Sequence, residues 1–135
     1  MKWLQQITQF ENECVLAAIA CATGYDYQEV RNAYPEFDGI GIPLNIEIKI
    51  LEKLNISFIR YVDTSIFYNR VYIVTVPSLN TIGGTHRIVI DTRNINGDWA
   101  DDIFVYDSQK NVEGKLYYNS FEDVKFWCEV IEIVW

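Results

Sequence analysis

Three side chains, Cys14, His86 and Asp107, combine types and spacing that suit nucleophilic chemistry. Cys14 lies in QFENECVLAAIACATGY, residues 9–25, where an Ala-rich helix begins. A thiol at a helix N-terminus feels the partial positive charge of the unsatisfied N–H groups, which favours the thiolate. His86 is the only histidine of the chain. A neighbouring imidazole takes the thiol proton and forms an ion pair, and a carboxylate on the other ring nitrogen then fixes its tautomer. Glu11 and Glu13 oppose the thiolate if they point at the sulfur. Each residue also has an ordinary use: Cys14 as a small core hydrophobe, His86 as a polar strand residue, Asp107 as the cap of a turn.

The elements needed to gather these groups are legible. Val15, Leu16, Ala18, Ile19 and Ala22 recur at helical spacing over residues 13–23, and Gly24 suits the stop. Asp26 is an N-cap candidate for a short helix ending near Pro35. After the turn DGIGIP, Pro43 opens a segment that reads as a helix burying Ile46, Ile50, Leu51 and Leu54. Ile46, Ile48 and Ile50 also fit an alternating strand.

The second half is β-branched and aromatic. ISFIRYV, VYIVTV, HRIVIDT, DIFVYDS and KFWCEVIEIVW read as strands, and NSFEDVK as a turn of helix before the last. NINGD (94–98) is a hairpin signal that sets HRIVI antiparallel to DIFVYD. His86 then opens one strand and Asp107 closes the next, at the same end of the sheet, as a cross-strand pair. Helices followed by a meandering antiparallel sheet make an α+β domain, and with no repeat or linker the whole chain, 1–135, reads as one domain.

Composition narrows the partners. Half of the 135 residues are apolar and 22% charged, as in a globular domain. Nineteen acids against eleven bases give −8, a field that repels phosphate backbones, so nucleic acid is not an expected partner. A polypeptide of basic character is the natural one. Neither a membrane span nor a signal peptide is expected: no apolar run approaches eighteen residues, and Glu11 and Glu13 precede VLAAIACA where a basic leader would stand. Three widely spaced cysteines suit reduced thiols in the cytoplasm. Cys21 and Cys128 read as ordinary residues. A metal site of Cys14, Cys21, Cys128 and His86 is disfavoured because no two cysteines stand two to four apart, and neither metal nor cofactor is expected.

The order and local wording resemble the papain-like cysteine peptidases, and within them the bacteriocin-processing (double-glycine leader) peptidase family and its stand-alone relatives. The resemblance rests on Gln9, FEN, Glu13-Cys14 and VLAAIACATGY, then YQEVRNAY, GIGIP and LEKLNI, then GGTHRIVI and FVYDS, and so spans nearly the whole chain. It implies a papain-like fold with Cys14 as nucleophile, His86 as general base and then acid, and Asp107 as orienting carboxylate. It also implies Gln9 as the side-chain donor to the oxyanion, beside the Cys14 backbone N–H. The chain departs from the pattern in three places. Val15 stands where Gly is common and Ser108 where Pro is frequent; Gln9 lies one position nearer the cysteine than usual, which keeps Gln6 as an alternative donor.

Two functions follow as expectations. One is a cysteine-dependent hydrolase cleaving a peptide, isopeptide or side-chain amide bond, in a free-standing bacterial or phage factor acting on another protein. The alternative is a non-catalytic peptide-binding module that uses the same groove.

Overall fold

The computed structural model describes residues 3–94 and 102–135. The expected NINGD loop lies outside these apart from Asn94. Three helices lead: α1 (Cys14–Thr23), α2 (Tyr27–Asn32) and α3 (Leu44–Lys53). Five strands follow: β1 (Phe58–Tyr61), β2 (Val71–Pro77), β3 (Thr85–Asp91), β4 (Phe104–Tyr106) and β5 (Val130–Ile133), with a 3-10 turn at Phe121–Asp123 before β5. The architecture is α+β with an antiparallel sheet.

Local chemistry explains the helix limits. Gly24 takes a left-handed conformation (φ 80°) and its N–H returns to the Ala20 carbonyl, ending α1. Asp26 caps α2 by accepting from the Gln28 N–H. The ambiguous isoleucine segment is helix, and burial shows why. Glu47, Ile50 and Leu51 are its buried residues, three and four apart, so helical spacing alone gathers them on one face. Pro43 is the residue just before this helix, not its first.

The sheet order is β1-β5-β2-β3-β4. It is therefore not the meander expected from sequence: the last strand inserts between β1 and β2, pairing antiparallel with both. Alternation splits the core in two. Val71, Ile73, Val89, Ile131 and Ile133 meet Leu16 and Ile19 of α1 and Leu51 of α3 on one face. Tyr72, Val74, Ile88, Ile90 and Val130 meet Ile103, Tyr118 and Val124 on the other. With both faces covered, β2, β3 and β5 are buried along almost their whole length.

Candidate active site

Asn12 sets up the nucleophile's helix. It takes φ 60°, a left-handed conformation that Asn tolerates better than most residues, in a turn closed by the Glu13 N–H on the Phe10 carbonyl. The Asn12 amide donates to the Gly39 carbonyl at 2.7 Å and ties this turn to the loop before α3. The chain enters α1 at Cys14, a half-buried free thiol.

Glu13 does not point its charge at the sulfur. Its Oε1 accepts from the Tyr27 hydroxyl at 2.9 Å and meets Arg31 Nε at 3.1 Å. The Arg31 guanidinium also lies 4.7 Å from the centre of the Phe10 ring. Glu13 occupies the N-cap position of α1 without capping it, so the first-turn N–H groups face the site uncapped by that side chain. The conflict foreseen from sequence is resolved by α2, which supplies both Tyr27 and Arg31.

His86 and Asp107 meet. His86 Nε2 stands 2.7 Å from Asp107 Oδ1, and both side chains are buried. The two meet across the strands, and the register shows how. Val89 faces Tyr106 and Ile90 faces Val105, a register that carried one step further sets Asp107 against Ile88. The contact is thus diagonal, on one face of the sheet. Asp107 is over-determined. Oδ1 also accepts from the Gln109 N–H at 2.9 Å, and Oδ2 accepts from the Tyr118 N–H at 2.8 Å.

Cys14 completes the set. With Nε2 on Asp107, the second ring nitrogen of His86 is left for the thiol, and the two side chains lie close enough to shift each other's titration. The Arg87 backbone lies on the same side and also favours the charged sulfur. Burial works against a charged sulfur, but the hydrogen bond and charge of His86, with the amide and charge of Arg87, outweigh it and lower the Cys14 pKa. Burial likewise opposes the imidazolium, and hydrogen bonds to Asp107 and Cys14 reverse that, raising His86 to about 9. Both shifts run in the direction that favours a thiolate–imidazolium pair. Cys21 behaves oppositely: burial, with the Asp91 charge nearby, pushes its thiol up to about 12.

Both glutamines reach the Asp107 loop, by different routes. Gln6 Nε2 donates to the Ile7 carbonyl at 3.0 Å and the Asp107 carbonyl at 2.7 Å, so both its amide hydrogens are engaged. Gln9 is nearly buried and receives the Ser108 hydroxyl on Oε1 at 2.6 Å. Its backbone N–H donates to the Ser108 carbonyl at 2.9 Å, and its Nε2 makes one long bond of 3.3 Å to the Phe10 carbonyl. Ser108 at the position after Asp107 thus latches Gln9 beside the site.

Several members were missed by sequence reasoning. The Tyr118 amide gave no signal, being backbone and eleven residues beyond Asp107. Asn80, in the loop before His86, receives the Leu116 N–H on Oδ1 and donates from Nδ2 to the Leu116 carbonyl, each at 2.9 Å, and also to Gln109. It staples the loop that leads to His86 to the loop that leaves Asp107. Beside Gln9, a cleft of about 350 Å³ is lined by Phe10, Asn12, Gln109, Val112 and Lys115. Among the described residues no group of three or more His, Cys, Asp or Glu is placed to hold a metal ion, and no helix is long and apolar enough to cross a membrane. No protein-family model matches the chain, and no curated protein matches it.

Proposed function

We propose that the protein is a papain-like cysteine-dependent hydrolase that cleaves an amide bond in a polypeptide through a thioacyl-enzyme. The observation that carries this reading is the Asp107–His86 bond of 2.7 Å, buried and aimed so that the free ring nitrogen serves the Cys14 thiol. Three residues that meet nowhere in sequence form one proton relay.

The steps follow from the geometry. The Cys14 thiolate attacks the carbonyl carbon, and the carbonyl π electrons move onto oxygen. The Cys14 backbone N–H, at the first turn of α1, is one donor to that oxyanion, and Gln9 Nε2 is the second. Gln9 is the better candidate than Gln6 because its amide carries only one long bond. The tetrahedral intermediate collapses as imidazolium protonates the leaving amine. Neutral His86 then takes a proton from water, which attacks the thioester and releases the acid. Asp107 keeps the imidazole in place and stabilises its charge without itself taking the proton.

The scissile bond is a peptide, isopeptide or side-chain amide, for which one constellation serves equally. The charge of −8 favours a substrate with basic character, and free thiols suit a reducing compartment such as the cytoplasm. The test is the rate of Cys14 alkylation by iodoacetamide against pH, read by mass spectrometry in the native protein and in His86→Ala. Buried Cys21 and exposed Cys128 are internal controls. Reaction well below pH 8 that His86→Ala abolishes is the expected result. Titration of Cys14 near 8.5, as in a free thiol, refutes the enzyme and leaves a peptide-binding groove.

A further inference from the structure

Directly beside His86, a second buried pair remains outside this relay. Arg87 Nε meets Glu47 Oε1 at 3.0 Å. The arginine is 7% exposed and the glutamate, on α3, is fully buried. Such a pair is weak evidence for stability, because desolvation of two ions offsets most of their attraction. The arrangement is also imperfect. Among the described residues Glu47 Oε2 has no hydrogen-bond partner, and neither has the hydroxyl of Thr75, the residue opposite Arg87 across β2 and β3. An apolar pair would fill this place more cheaply, which points to a use for the charge.

That use is suggested by the place of Arg87 in the chain. Arg87 follows His86 on β3, and its backbone and its charge both act to lower the Cys14 pKa, so the guanidinium belongs to a residue beside the nucleophile. We propose, on the thiolate reading above, that Arg87 and Glu47 are a positioning pair. Glu47 holds the guanidinium inside the fold, where it sets a fixed positive charge behind the Cys14 sulfur and keeps the Arg87 amide aimed at it. The groups facing each member are few. From β3 the sulfur meets His86 and Arg87. Burial raises the Glu47 pKa, the charge and hydrogen bond of Arg87 oppose that and keep its charge favourable, and Glu129, from the segment before β5, adds to the rise. Glu13, although adjacent to Cys14, is turned to Arg31.

The charges give opposite signs for the two partners. Loss of the Arg87 charge raises the pH at which Cys14 ionises; loss of the Glu47 charge, with Arg87 in place, lowers it. A structural role moves both the same way or neither. The experiment is the pH profile of Cys14 alkylation in the full chain carrying Glu47→Gln, Arg87→Lys, or the double change Glu47→Met with Arg87→Met, with thermal unfolding measured alongside. The apolar double variant is expected to keep the fold, as replacement of buried ion pairs often does. Its Cys14 inflection should rise by about one pH unit, tenfold less thiolate below the inflection. Glu47→Gln should shift it down, and Arg87→Lys should hold it near the native value.

A folded double variant with the native profile overturns the proposal while leaving the thiolate reading intact. Where the double variant does not fold, an upward or absent shift in Glu47→Gln overturns it instead. A native protein whose Cys14 titrates near 8.5 sinks both readings, so the two failures are distinguishable.

Discussion

Asp107→Asn puts the proton relay under the sharpest test, because the substitution preserves shape and removes only charge and one acceptor. The carboxylate accepts three hydrogen bonds: His86 and Gln109 on Oδ1, Tyr118 on Oδ2. An Asn that keeps its oxygen toward His86 sets its NH₂ against the Tyr118 N–H. Flipped, it satisfies Tyr118 but sets the NH₂ against His86 and the Gln109 N–H. Either orientation strands at least one backbone donor, at about 1–3 kcal/mol, and the charge-assisted bond to imidazolium is lost as well. The folded pKa of His86, about 9, lies above the value of about 6.5 in an unfolded chain. Its stabilising contribution is therefore complete below pH 6.5 and disappears as the pH rises through 9. The span between those values corresponds to about 3 kcal/mol, shared between Asp107 and the Cys14 thiolate. Asp107→Asn should thus destabilise the protein by about 2–5 kcal/mol at pH 6 and by less at pH 10, with the His86 pKa falling by a unit or more. His86 is the only histidine, so one imidazole signal in a heteronuclear NMR titration reports it, and denaturant unfolding at the two pH values gives the energy. An imidazole still titrating near 9, with unfolding free energy changed by under about 0.5 kcal/mol at pH 6, would refute the coupling.

Further expectations concern the supports of the site. Ser108→Ala removes the hydroxyl that latches Gln9 and should cost about 1 kcal/mol in urea unfolding, with faster hydrogen exchange at the Gln9 amide. Asn80→Ala releases the staple between the loops flanking His86 and Asp107. Exchange of the Leu116 amide should accelerate markedly, while the midpoint of global unfolding moves by only about 1 kcal/mol equivalent, since these groups are largely exposed. Arg31→Ala strips Glu13 of its partly exposed ion pair and should cost about 1 kcal/mol or less in stability. Its Cys14 alkylation profile should stay in place, because Glu13 still bonds Tyr27 and remains turned from the sulfur; a profile shifted by a full unit would contradict this placement of Glu13.

The parts of this site that the sequence disclosed were those written in local chemistry. An Ala-rich helix that starts at a cysteine and stops at Gly24 needs only capping rules and periodicity, and its bounds were legible. His86 and Asp107 were legible as partners because their strands are consecutive and antiparallel, although the diagonal register was not. What escaped depends on long-range choice. Val130–Ile133 is β-branched and buried on both faces, which marks an interior strand but not its neighbours; β1 and β2 accept it because each leaves an open edge. The isoleucines of α3 fit two periods, and Glu47, a charged residue with no exposure, decided nothing until Arg87 was seen across from it. Gln6 and Gln9 could be separated only by counting the hydrogen bonds each amide already makes.

The placement of β5 also sets the order of assembly. Tyr72 pairs with Glu132, and Phe58 with Ile133, so the middle of the sheet cannot close until residues 130–133 have been made. Pairings so distant in sequence slow folding, since the entropy of a long loop must be overcome before any contact rewards it. Until β5 docks, β1 and β2 each present a bare strand edge, to which a second nascent chain can add. Arrival of the C-terminal strand removes both edges at once and leaves the short strands β1 and β4 at the rims of the sheet. The same event covers the free edge of β2, against which β3 and therefore His86 are registered, so a supported relay and protection from aggregation arise together when β5 docks.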